Sequence, residues 1–196
     1  MQRFKNIICL NLAHRGDRRE RSKIEFSRAG IDVKFYNAVK GGIAGFCQSM
    51  FNIFQEFDGP ILIFEDDVKF IADINILKNA LDELPTDWSL LYLGANCREP
   101  LKRHSDHLQV LNNAWTTHAV AYSEKMVEYL RDNWSGKYIE PFIFDEWLRQ
   151  KIQPNFKCFI TDPMVCTQYP DYSDIWKRHT NYDIIQQSQK YYEAAS

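Results

Sequence analysis

Short apolar runs alternate with amphipathic stretches through the first half of the chain. Ile7 to Leu12 reads as a strand, Asp17 to Ala29 as a helix, Val33 to Tyr36 as a strand, Ile43 to Phe57 as a helix and Ile61 to Phe64 as a strand. That alternation predicts an α/β fold built on a mostly parallel sheet. The pattern continues with a helix near Ile74 to Leu84, a strand Leu90 to Leu93, and a strand near His118 to Tyr122 that runs into a helix through Arg131. A helix Phe142 to Lys151, a strand around Cys158 to Thr161 and a closing helix from Tyr182 to Ala195 complete the reading. Gly41-Gly42, Asp58-Gly59-Pro60, Trp134-Ser135-Gly136 and Gln153-Pro154-Asn155 punctuate it as turns. None is long enough to be an interdomain linker, and there is no repeat or low-complexity tract, so residues 1–196 are expected to form a single domain.

Composition narrows the class. The 196 residues are 45% hydrophobic and 26% charged with few Gly and Pro, which is globular rather than disordered. A net charge of -2 offers no general attraction to nucleic acid or to an anionic membrane. The five cysteines, Cys9, Cys47, Cys97, Cys158 and Cys166, are odd in number and lack paired metal spacing, as expected of reduced thiols. The amino terminus runs into a strand with no long apolar segment behind it, so neither signal peptide nor membrane span is expected. A cytoplasmic protein follows, touching membrane only through a partner or an acceptor lipid.

Candidate chemistry begins at Glu65-Asp66-Asp67, directly after Ile61-Leu62-Ile63-Phe64. A buried strand ending in carboxylates puts hard oxygen ligands at a sheet rim, within reach of a divalent cation and a diphosphate. The alternative is a solvated acidic turn. Ligands of open α/β sheets sit at the carboxyl ends of strands, an edge that here gathers the turn residue Arg15, Arg18 or Arg19, the acidic triplet, and Gly94 after Leu93. An arginine there can clamp a phosphate, aided by the helix amino terminus. The alternative for any arginine of this crowded, mixed-charge helix is a surface ion pair, which is the simpler reading for Arg19 and Arg21 and stands level with the phosphate clamp for Arg15.

These pieces resemble glycosyltransferase family 25, the group that includes bacterial lipopolysaccharide galactosyltransferases and the collagen galactosyltransferases. Ile8-Cys9-Leu10-Asn11-Leu12 with Arg15, Asp17 and Arg18 is similar to the family's opening strand and its Asn-Leu, Arg, Asp-Arg signature. Phe35-Tyr36-Asn37-Ala38-Val39 with Gly41, then Gly45-Phe46-Cys47-Gln48-Ser49, resemble the following segments, although Met50 stands where the family commonly shows His. The acidic triplet, Trp88 with Leu91-Tyr92-Leu93-Gly94, Thr117-His118-Ala119 with Tyr122, Asp145 with Leu148, and Gln168 with Ser173-Asp174-Ile175 continue in order. The resemblance implies a GT-A type, Rossmann-like fold and an inverting, Mn²⁺- or Mg²⁺-dependent transfer from a nucleotide sugar. Galactose or glucose would pass from a UDP-sugar to a glycan, glycolipid or protein acceptor, as in lipopolysaccharide biosynthesis.

On that resemblance Asp67 is assigned to the metal with Asp66 as a second ligand, and Glu65 to the ribose or to orienting the motif. Asn11, Arg15, Arg18, Glu65, Asp66, Gly94 and His118 fall on the donor side. Asp145 is the candidate base for the acceptor hydroxyl, while Glu146, one residue around the helix, points elsewhere. Each assignment has a plainer alternative: an ion pair or a turn hydrogen bond for Asp66, a helix cap for Asp145, a satisfied core histidine for His118. His179 is a candidate metal ligand or a solvent-exposed histidine. The polar, aromatic segment Gln168 to Trp176 is either a flap over the site or surface covering. Two other functions stay open: transfer to a modified nucleic-acid base, supported by the arginine-rich helix, and an inactive module that binds sugar nucleotides or a protein partner.

Overall fold

The computed structural model describes residues 3–138 and 143–193. In chain order the elements are β1 (Asn6–Asn11), α1 (Gly16–Ala29), β2 (Lys34–Asn37), α2 (Gly42–Glu56), β3 (Ile61–Glu65), β4 (Val68–Phe70), α3 (Ile74–Glu83), β5 (Leu90–Tyr92), β6 (Asn96–Cys97), β7 (Lys102–Arg103) and β8 (Leu108–Val110). There follow β9 (Ala114–Trp115), β10 (Ala119–Tyr122), α4 (Glu124–Asn133), α5 (Phe144–Trp147) with a π turn Leu148–Ile152, β11 (Cys158–Thr161), β12 (Cys166–Gln168), β13 (Asp171–Ser173), β14 (Arg178–Thr180) and α6 (Asp183–Gln187).

Eight strands form the central sheet in the order β2-β1-β3-β10-β5-β11-β8-β7. β10 runs antiparallel to both of its neighbours, as does β8, and the other six strands share one direction. The sheet is therefore mixed but mostly parallel, as the alternating pattern predicts. Both faces are covered. Ile61 and Ile63 of β3 pack with Met50, Ile53 and Phe54 of α2 and with Leu130 of α4, while Leu62 and Phe64 pack with Phe26 of α1 and Leu77 and Leu81 of α3. That is why β3 is apolar at each position from Ile61 to Phe64 rather than at alternate ones. All five cysteines are buried and free.

Local chemistry sets the helix ends. α1 stops at Gly30, whose φ of 63° is left-handed and whose N–H meets the Phe26 and Ser27 carbonyls. Ser123 caps α4 by accepting from the Met126 N–H at 3.1 Å. Two expected helices are shorter than their pattern. The one anticipated over 142–151 begins at Phe144 within the described residues, Phe142 lying outside them, and widens into the π turn. The closing helix breaks at α6 because the Ser188 hydroxyl lies against the Ala95 and Ile185 carbonyls and accepts from Cys97 N–H, holding the backbone in a 3₁₀ turn over Ser188–Tyr191. Ala194 and Ala195 lie outside the described residues.

Candidate active site

β1 and β3 are parallel neighbours, so their carboxyl ends bring Asn11 and Glu65 to one edge. The antiparallel β10 begins at that same edge, with Ala119 opposite Phe64, which sets Thr116 and Thr117 beside the end of β3. A cavity opens there. Its polar wall carries Arg18, Glu65, Asp66, Asp67 and Asp145, and its apolar lining comes from Ile43 and Phe46 of α2 and from Ile143. The turn after β13 adds Ile175 and Trp176, the latter 52% exposed at the rim.

Arg18 joins the acids. Its Nη1 donates to Asp66 Oδ1 at 2.8 Å and to Asp67 Oδ2 at 3.3 Å, and all three residues are buried. Asn11 Nδ2 donates to Asp66 Oδ2 at 2.7 Å, and Gln168 Nε2 to Asp67 Oδ1 at 3.0 Å. Burial opposes the Arg18 charge, yet Asp67 and Asp66 prevail and raise its pKa. For Asp66, burial and then the Asp67 charge outweigh Arg18, and its pKa rises. Glu65 accepts from Thr117 Oγ1 at 3.0 Å, and burial followed by Asp67 repulsion pushes its carboxyl well above the usual range. Asp145 accepts from Glu146 N–H at 2.8 Å, with the Thr116 amide close enough to favour its charge, but burial still pushes it up to about 6. Arg18 thus bridges Asp66 and Asp67, while Glu65 and Asp145 share the same cavity wall.

Three buried oxygens here have no hydrogen-bond partner: Asn11 Oδ1, Gln168 Oε1 and Thr116 Oγ1. Asn11 Oδ1 and Gln168 Oε1, on side chains bonded to Asp66 and Asp67, are hard oxygens of the kind that suit Mg²⁺ or Mn²⁺, which keep water and substrate phosphate in their coordination shell. Among the described residues no three His, Cys, Asp or Glu side chains form a complete metal cluster. A cation would rest on Asp67 and Asp66, with ligand oxygens completing its shell.

The chain has a partial likeness to a glycosyltransferase. Over 129 residues it is 31% identical to procollagen galactosyltransferase 1-A of Xenopus laevis, a match covering 46% of this chain and 21% of that protein. The chain therefore spans 21% of that relative's length. No family model matches. Among solved structures, HddC from Yersinia pseudotuberculosis aligns at 17% identity with a TM-score of 0.46, covering 88% of this chain and 77% of that one. A197 from STIV aligns at 9% identity with a TM-score of 0.46, covering 90% and 94%.

The structure gathers Asn11, Arg18, Glu65, Asp66, Asp67 and Asp145 at one edge. Other sequence candidates go elsewhere. Arg15 pairs with Asp17 at 2.8 Å and with Asp174 at 2.7 Å, so it ties α1 to the segment after β13. Gly94 is needed for packing, since a Cβ there would lie 1.9 Å from the Cys166 carbonyl oxygen. His118 is fully buried outside the cavity wall, its pKa held down to about 4 by burial, and neither ring nitrogen makes a well-formed hydrogen bond. It is a core histidine, though not a satisfied one. His179 is exposed on β14, edge-on to Tyr172, and does not join the carboxylates. Arg21 makes the expected ion pair, to Asp171 at 2.8 Å, whereas Arg19 stacks on Phe35 at 4.4 Å. Asp145 is not the cap of α5, a place taken by Ile143. Glu146 turns away to Arg149 and Trp115.

Thr116 is not legible as a site residue in the sequence, and no role for Thr117 or Gln168 can be read there. Thr116 gave no pattern signal, since its place depends on the reversed direction of β10. Gln168 opens the polar, aromatic segment through Trp176, of which Ser173, Asp174, Ile175 and Trp176 also line the cavity.

Proposed function

We propose that this chain is an inverting, metal-dependent glycosyltransferase that moves a hexose from a nucleotide sugar, a UDP-sugar first among them, to a hydroxyl of a glycan, glycolipid or protein acceptor. The observation that carries the reading is the meeting, in one cavity, of the Arg18-bridged Asp66-Asp67 pair with a separate, half-buried carboxyl, Asp145. The partial likeness to a galactosyltransferase supports it from the sequence side. A bound Mn²⁺ or Mg²⁺ would supply charge to stabilise the departing nucleoside diphosphate.

The chain's own residues do the rest. Asp66 and Asp67 hold Arg18 in place, and Arg18 offers a preorganised positive charge to the diphosphate. Ile43, Phe46 and Trp176 give the uncharged parts of the ligand an apolar and aromatic bed. Asp145 takes the proton from the acceptor hydroxyl as its oxygen attacks the anomeric carbon from the face opposite the phosphate. The carbon–oxygen bond to the phosphate breaks, and the nucleoside diphosphate leaves with that electron pair. A base with a pKa near 6 is ionised at neutral pH and still holds a proton well, the balance general-base catalysis needs. Transfer to nucleic acid loses much of its support, because Arg15, Arg18 and Arg21 are engaged by Asp66, Asp67, Asp171 and Asp174.

The deciding experiment is calorimetric titration of UDP-galactose, UDP-glucose, GDP-mannose and a CMP-sugar into the protein with Mn²⁺ and again with EDTA. Binding of one donor with Mn²⁺ and its loss in EDTA are expected. Equal affinity under both conditions removes the metal from the mechanism, and no binding at all removes the donor reading.

A further inference from the structure

Thr116 has a backbone conformation its side chain disfavours. Its φ of 76° is left-handed, where a β-branched residue is an outlier that persists only when its surroundings impose it. The residue lines the cavity, and its Oγ1 is buried with no hydrogen-bond partner, a state few buried hydroxyls hold without reason. Its amide favours the charged form of Asp145, and the next residue, Thr117, donates to Glu65 at 3.0 Å. One bent dipeptide therefore touches two carboxyls that lie far apart in sequence. The bend alone would be met more easily by glycine or asparagine. A threonine there leaves its hydroxyl to be explained.

We infer that Thr116 is a binding residue for the sugar of the donor, its free hydroxyl hydrogen-bonding a hydroxyl of a hexose placed between Glu65 and Asp145. The inference rests on the nucleotide-sugar reading above. A sugar hydroxyl fits because it donates and accepts in turn, as the threonine hydroxyl does, whereas an ionised carboxylate beside it only accepts. The nucleotide is served from the Arg18 side of the cavity and needs no contact with Thr116.

The test compares wild type with Thr116→Val, Thr116→Ser and Thr116→Gly. Titration with Mn²⁺ measures affinity for UDP-galactose, UDP-glucose, GDP-mannose and a CMP-sugar and for the matching free nucleotides, alongside each variant's melting temperature. For the donor that wild type binds, Val is expected to weaken affinity about 3- to 10-fold, the worth of one neutral hydrogen bond, and Ser to restore it. Free nucleotide should bind all four proteins alike. Gly relieves the backbone and should melt at or above the wild-type temperature while binding the donor as weakly as Val. Unchanged donor affinity in Val overturns the inference and leaves the donor reading standing, and so does an equal loss for the free nucleotide. A wild type that binds none of the four sugars overturns the donor reading and this inference with it.

Discussion

Asp145 is a carboxyl whose burial costs the fold stability at the pH where it would work. Its pKa is raised from 3.8 to about 6, so between those values the folded chain holds a proton that the unfolded chain has released. Stability from this group is thus greatest below pH 3.8 and falls as pH rises through about 6. Asp145→Asn removes the charge and should raise unfolding free energy at pH 8 by about 1–3 kcal/mol. No gain is expected at pH 3. Transfer should drop roughly 10²-fold or more, and the wild-type rise of rate with pH near 6 should vanish. Urea unfolding at both pH values and a pH–rate profile check this. A variant that transfers normally or loses stability at pH 8 contradicts it. Aspartate at this position was legible as a candidate from sequence; its burial and its place inside α5 rather than at the cap were not, since both depend on what packs over it.

The hairpin β13–β14 shows how an element too short for pattern reading can complete a site. Three-residue strands present no periodicity, so the segment reads only as polar and aromatic. In the fold it is tied to α1: Arg21 meets Asp171 at 2.8 Å, Arg15 meets Asp174 at 2.7 Å, and Arg18 Nη2 donates to the Tyr172 carbonyl at 2.9 Å. Arg18 and Arg21 of α1, with Arg15 just before it, thus hold this wall. Asp171→Ala frees Arg21 and removes a partner of Arg18 and Arg15. Hydrogen exchange at the β13 and β14 amides should quicken by about 10-fold or more, while β1 and β3 keep their protection. Unchanged exchange in the hairpin would show the ion pairs to be incidental.

Across the whole molecule, the cavity is walled by pieces from opposite ends of the chain, from Leu10 to Tyr182. A ligand there would touch α1, α5 and the hairpin at once, and a ligand that binds only the folded state stabilises it by mass action. At a concentration 100 times its Kd, UDP-galactose with Mn²⁺ should add about 2.7 kcal/mol, a rise of roughly 5–11 °C in Tm for a domain of this size. EDTA should cancel the rise, and a Tm indifferent to sugar and metal would count against the site. Among the described residues no helix is long and apolar enough to cross a membrane. The order of strands and helices through β3, and the acidic end of β3, follow from sequence because alternation of apolar runs and amphipathic helices is a local property set by which faces must be covered. Which strands lie side by side is not local. The placing of β10 antiparallel between β3 and β5 carries Thr116 and Thr117 to Glu65, sets them near Asp145, and leaves Gly94 and His118 to packing, and only long-range strand pairing and side-chain burial decide that.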